Sequence, residues 1–299
     1  MPGAGDCRTI RRSPLAGRWY PASAREIARE IAGWEDYRGA DCAAAAVGGP
    51  PRTKALCTVP HAGWYFSGRL AARALEAAGA VLGPEGPEVA VVLGGHLPPG
   101  APVIAYAEDA WETPLGPVEL APGLVPELAG ASGGRLRFRT WEGPTGDNTV
   151  EVELPLVKHF FPRARVLALR AAPDRSAETL AGALLDVLRD RKTLFVASTD
   201  LTHYGDAYGF SPAGPGPAGE RFREENDRAF VEAALAMDAG AMLNLGNRRS
   251  AACSAGAAAA IGRIAAELKA AGRLIDYYAS TDILPGEQSV GYAGIVYAP

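Results

Sequence analysis

A chain that runs from Leu194-Phe195-Val196-Ala197 straight into Ser198-Thr199-Asp200-Leu201-Thr202-His203 leaves few folds open. Four consecutive apolar, β-prone residues read as a strand buried on both faces, as in a parallel sheet covered by helices. Ser, Thr, Asp and His crowd its carboxyl end before Gly205 closes the turn. In an open α/β sheet this is where ligands bind, because the rigid sheet stops there and loops converge side chains on a crevice. One stretch therefore predicts both a fold class and the place of its chemistry.

The pattern recurs. Residues 55–59 form an apolar run that ends in Pro60-His61-Ala62-Gly63, and residues 89–93 form another that ends in Gly94-Gly95-His96. Helical segments alternate with such runs. Ser23 caps a helix over 23–34, Leu70, Ala71, Leu75 and Ala78 mark a second, and Asp147 or Thr149 caps a third over 147–161 that Pro155 bends. Helices are also predicted over 177–189, 220–237, 239–245 and 251–271. Further strands are expected at 103–106, 118–120, 136–138, 165–170, 277–281 and 290–296, the last two joined at Pro285-Gly286. The expected fold is α/β: one domain with a central, mostly parallel or mixed sheet flanked by helices. Residues 1–14 are polar and read as an unordered N-terminus before a domain spanning 15–299. Residues 36–53 and 206–218 are rich in Gly with Ala or Pro and read as loops, the second near the site.

Composition narrows the partners. With 48% hydrophobic and 21% charged residues, a net charge of -4 and no basic block, the chain has no footprint for nucleic acid or an anionic membrane. A small molecule is the expected ligand. Cys7, Cys42, Cys57 and Cys253 are scattered without a paired motif, which argues against a zinc ribbon or disulfide framework and for a reducing cytoplasm. No apolar stretch reaches the roughly 18 residues of a membrane span.

Three of the 4 histidines, His61, His96 and His203, stand at strand ends, which in a parallel sheet lie along one edge. His159, within a helix beside Lys158 and Phe160, reads instead as a solvated or packing residue. Cys253 stands near a helix start, where it is either an inert buried thiol or a thiolate favoured by the helix terminus. Asp200 either caps its turn or orients and ionises His203. Two imidazoles with a thiolate or carboxylate suit a borderline metal such as iron, zinc or copper, with positions left open for substrate. Trp64, Tyr65, Trp111 and Tyr204 either face that crevice, suiting a flat organic ligand, or pack the bases of its loops.

Six ordered stretches carry a resemblance: 16–21 (AGRWYP), 59–68 (VPHAGWYFSG), 110–116 (AWETPLG), 150–155 (VEVELP), 198–205 (STDLTHYG) and 289–293 (SVGYA). In these the chain resembles the Memo family, whose bacterial members are called the B protein of the AmmeMemoRadiSam system. The resemblance implies a fold similar to the class III, LigB-type, extradiol dioxygenases, which use non-haem Fe(II). It implies His61, His96 and Cys253 as metal ligands, His203 as the acid or base, and Asp200 as a residue that orients His203 or touches the metal. The implied cofactor is a divalent transition metal, Fe(II) first, with Cu or Zn as alternatives. The implied partners are a small, aromatic substrate and AMMECR-type and radical-SAM proteins. The expected function is a redox enzyme; the alternatives are a peptide-binding or scaffold protein, as the animal Memo protein is associated with motility signalling, and a zinc hydrolase. The chain departs from the family in having Gly95 before His96, where Asn is common, and Asp147-Asn148-Thr149 where Glu-His-Ser is common. Asn148 hydrogen-bonds but cannot shuttle a proton at neutral pH.

Overall fold

The computed structural model describes residues 8–34, 50–143 and 146–299. Its backbone is a 9-stranded mixed sheet, in the order β10-β12-β2-β9-β3-β8-β4-β7, with β11 paired to β12. Here β2 is Lys54–Val59, β3 Val89–Gly94, β4 Val103–Ala105, β7 Phe138–Thr140, β8 Arg165–Arg170, β9 Thr193–Ser198, β10 His203–Tyr204, β11 Ala271–Ala279 and β12 Ser289–Ala298. All six residues of β2, β3 and β9 are buried. Their side chains alternate between two apolar layers. Leu56, Val91, Leu93, Phe195 and Ala197 pack with the helices Ser176–Val187 and Ala255–Glu267, and Ala55, Cys57, Val92, Leu194 and Val196 pack with the helix Trp64–Leu82. Burial on both faces explains why these strands read as continuous apolar runs rather than as alternating ones.

Register aligns the strand ends. In the parallel centre, Val59 pairs with Ser198, Ala197 with Leu93, and Gly94 with Arg170. His61, Asp200 and His96 each lie two residues beyond their strand, so all three leave the sheet at one level. The antiparallel β12 then brings β10, and with it His203, to the same edge.

Several boundaries differ from expectation. The segment 251–254 is not helical, because the N–H groups of Cys253 and Ser254 donate across the sheet edge to Asp200 O (3.2 Å) and Thr199 Oγ1 (3.0 Å). The following helix is therefore Ala255–Glu267, and Lys269 in the left-handed region (φ 54) turns the chain into β11, which starts at Ala271 rather than 277. Pro155 divides the expected helix over 147–161 into Asn148–Glu151, capped by Asp147, and Leu154–Phe160. Ser23 caps the first helix as expected.

The N-terminal expectation needs correcting from residue 8 onward; residues 1–7 and most of the loop expected at 36–53 lie outside the described residues. A strand β1 at Ile10–Arg11 pairs in parallel with β5, Ala110–Trp111, which also pairs with β6, Val118–Glu119. Arg11 is what makes so polar a stretch fit. Its guanidinium lies 4.9 and 4.8 Å from the ring centroids of Tyr106 and Trp111 and pairs with Glu108 at 3.0 Å. Among the described residues no helix is long and apolar enough to cross a membrane.

Candidate metal centre

The three strand-end histidines do meet, and Cys253 joins them. Ligand atoms of His61, His96 and Cys253 lie within 4.8 Å of one another, as do those of Asp200, His203 and Cys253. The thiol is thus common to two donor groups. His61 is wholly buried, with Nε2 3.1 Å from Cys253 Sγ and Nδ1 2.9 Å from Ser198 Oγ. The His96 ring stands edge-on to it at 5.1 Å between centroids. His96 takes a left-handed backbone (φ 55), costly for a residue other than glycine, and Arg170 holds that turn by donating to Gly95 O (2.8 Å) and His96 O (3.2 Å). Asp147 pairs with Arg170 at 2.9 Å.

Asp200 ties the two halves together. Its Oδ1 accepts the His61 backbone N–H at 2.7 Å, and its Oδ2 lies 4.0 Å from His61 Nε2 and 3.6 Å from His203 Nε2. Its own N–H donates to Cys253 Sγ at 3.3 Å. Asp200 is therefore more than a turn cap. Burial alone would depress both imidazoles, but Cys253 and Asp200 outweigh it and raise His61 to about 9, and Asp200 with Cys253 raises His203 to about 10. Burial would likewise raise the Cys253 thiol, yet His61, His203 and His96 hold it well below its usual range. The thiol and the two imidazoles thus shift in opposite directions because each favours the charged form of the other.

The site opens through Asp200 and His203 into a cleft of about 620 Å³, walled by Trp19, Phe66, Tyr208, Val290 and Tyr292, with Arg18 and Asn148 also on its lining. A larger hollow of about 840 Å³ beside Trp34 and Trp64 is lined by no histidine or cysteine, so the smaller cleft is the one that reaches the site. Of the four aromatics singled out in the sequence, only Tyr65 lines the cleft. Trp64 is buried and donates to Val152 O (3.0 Å), Trp111 lies under Arg11, and Tyr204 donates to Gly214 O (2.8 Å). The actual walls come from loops that propensity alone could not fold onto the site. Asn148, in place of the histidine, donates to His61 O at 3.3 Å and so steadies the loop that carries His61. Gly95 is explained by proximity: a Cβ there would lie 2.7 Å from Ser254 Cα, so its absence lets the Cys253 arm close on the site.

Sequence reasoning missed Glu153. It is buried, neither of its oxygens is hydrogen-bonded, and burial raises it to about 8. Its sequence signal was a second glutamate, two residues after Glu151, set between Val152 and the apolar run Leu154-Pro155-Leu156-Val157.

Two imidazoles, a low-pKa thiol and a carboxylate–imidazole pair at the carboxyl edge of the sheet define an α/β protein with side chains of the type that hold transition metals gathered beside a cleft. The chain belongs to the Memo-like family, whose model matches residues 11–296. A MEMO1 family protein of Methanopyrus kandleri is 30% identical over 96% of this chain and 99% of its own, and one of Nitrosopumilus maritimus is 27% identical over the same shares. The crystal structure of an uncharacterized Escherichia coli K12 protein covers 81% of this chain and 98% of its own at TM-score 0.48 and 14% identity, too remote a likeness to bear on function.

Proposed function

We propose that the protein binds a divalent transition metal through His61, His96 and Cys253 and performs redox chemistry on a small, flat organic molecule held in the cleft. The observation that carries this reading is the convergence of those three ligand atoms within 4.8 Å of one another, beside Asp200, which lines an aromatic-walled cleft. The donor set fits such an ion: one thiolate and two imidazoles, drawn from three separate strand ends or loops, match the borderline softness of iron, copper or zinc. Fe(II) is the ion this reading favours. When bound, it would supply Lewis acidity and electron transfer.

The chain's own residues supply the rest. Phe66, Tyr208 and Tyr292 offer faces against which a ring stacks and from which water is excluded. His203 Nε2 is buried, lacks a hydrogen-bond partner and is 3.6 Å from Asp200 Oδ2, which leaves it free to engage a substrate oxygen. As an imidazolium in the metal-free protein, His203 donates a hydrogen bond or proton to that oxygen, and Asp200 steadies its charge.

The test is elemental analysis of protein purified without oxygen, alongside His61→Ala, His96→Ala and Cys253→Ala. Near-stoichiometric iron that each substitution abolishes supports the reading, and zinc in its place turns the chemistry to hydrolysis. Protein that binds no metal, or keeps it through all three changes, overturns it in favour of a binding protein.

A further inference from the structure

Thr202 follows Asp200 and precedes His203, is wholly buried, and has its backbone N–H, carbonyl and hydroxyl oxygen all engaged. Its N–H donates to Asp227 Oδ1 (2.9 Å), its carbonyl accepts from the Gly291 N–H (3.1 Å), and its hydroxyl oxygen accepts from Asn226 Nδ2 (2.9 Å). Asn226 and Asp227 are neighbours on the helix Pro217–Leu235, and both are wholly buried. Arg223 Nη1 (3.0 Å) and Tyr277 OH (2.9 Å) donate to the other oxygen of Asp227, and β12 comes so near that a Cβ on Gly291 would lie 2.1 Å from it. This part of the helix is therefore fixed against the sheet.

The same Asn226 nitrogen also donates to Arg249 O at 2.9 Å. That carbonyl ends the helix Ala239–Arg249, and the last carbonyls of a helix have no donor within it. A carbonyl only accepts, so the amide's NH2 group must face it, and Asn226 Oδ1 is left buried without a partner. From Arg249 the chain runs through Ser250, in the left-handed region (φ 50), to Cys253. The N–H groups of Cys253 and Ser254 donate to Asp200 O and Thr199 Oγ1. The arm 250–254 is thus tied to the loop 199–202 at both of its ends, directly at Cys253 and Ser254 and through Asn226 at Arg249. We infer that Asn226 is a positioning residue: by holding Thr202 Oγ1 and Arg249 O with one amide, it sets the spacing between the loop of Asp200 and His203 and the arm of Cys253. Asn226 does not line the cleft, so it acts only through the chain it holds. The inference rests on the metal-binding reading above in giving Cys253 the role of a ligand.

The experiment is amide hydrogen exchange in the metal-free full chain, followed by zinc titration against a competing chelator. The variants are Asn226→Ala, Thr202→Val, Thr202→Ser and the double variant Asn226→Ala/Thr202→Val. Asn226→Ala and Thr202→Val should each speed exchange over 250–254 by roughly 10-fold, as the loss of one such hydrogen bond would, and leave β3 unchanged. Zinc affinity should fall by about the same factor. The double variant should lose no more than Asn226→Ala alone, because the hydroxyl acts through the amide. Thr202→Ser keeps the hydroxyl and should match the unsubstituted protein, a rescue that a general loss of packing does not give. Should Asn226→Ala fail to fold, the valine and serine variants make the same comparison. Exchange over 250–254 that is unchanged in the variants, or sped equally in β3, overturns the assignment. So does zinc affinity that holds constant while the arm exchanges faster. If the unsubstituted protein binds no zinc, the metal-binding reading fails by itself, and exchange of the arm still decides the role of Asn226.

Discussion

The two histidines that flank Asp200 live in different worlds. His61 is sealed from solvent, with its backbone N–H on Asp200 and its ring nitrogens facing Ser198 and Cys253. His203 has a side chain 32% exposed, stands on the cleft and keeps an unpartnered Nε2. One carboxylate serves both, yet one ring is locked and the other is available. A ligand must hold a single orientation, whereas a group that exchanges protons needs a free atom pointed at the substrate, and the difference in burial is what the two proposed roles require.

The widest break in this comparison should come from the two alanine variants side by side. His61→Ala should abolish metal retention, whereas His203→Ala should keep the metal and lower turnover of an accepted substrate by roughly 10²–10⁴-fold. Equal metal loss in both would mean that the locked and available halves are one. A smaller effect tests the arm that carries Cys253. Gly95→Ala places a methyl against Ser254, and forcing that contact should cost about 1–3 kcal/mol of stability and loosen metal binding, read by thermal melts with and without zinc. A fully stable variant with unchanged affinity would show that the arm does not need this approach.

The smallest effect sharpens the contrast from outside the site. Glu151 accepts from Leu15 N (2.8 Å) and Tyr20 OH (3.0 Å), and burial raises its carboxyl from 4.5 to about 7. Because the folded value lies above the unfolded one, its contribution to stability is fully present below 4.5 and is lost as the pH rises through about 7. Glu151→Gln should therefore flatten the fall in melting temperature across that window. An undiminished slope would place the titrating group elsewhere.

Much of this arrangement was legible because a doubly buried strand cannot disguise itself. The runs at β2, β3 and β9, each followed within a few residues by a histidine, pointed to the sheet, its edge and His61, His96 and His203 together. The cleft walls were not legible. Phe66, Tyr208 and Tyr292 carry no local sign that they face one space, while Trp111, as conspicuous in the sequence, lies under Arg11. Glu153 was invisible for a different reason: an unpaired buried carboxylate is defined by what does not surround it.

By itself the sequence determined the class of fold and the strand ends at which three of its histidines stand, because apolar periodicity and the rarity of histidine are properties of the chain alone. Only the tertiary structure decided that Cys253 is reached by a hydrogen-bonded arm rather than a helix, that the polar N-terminal stretch is tied in through Arg11, and which histidine is sealed and which is open. Those outcomes depend on contacts between residues a hundred or more positions apart, whose energies exist only once the sheet has assembled.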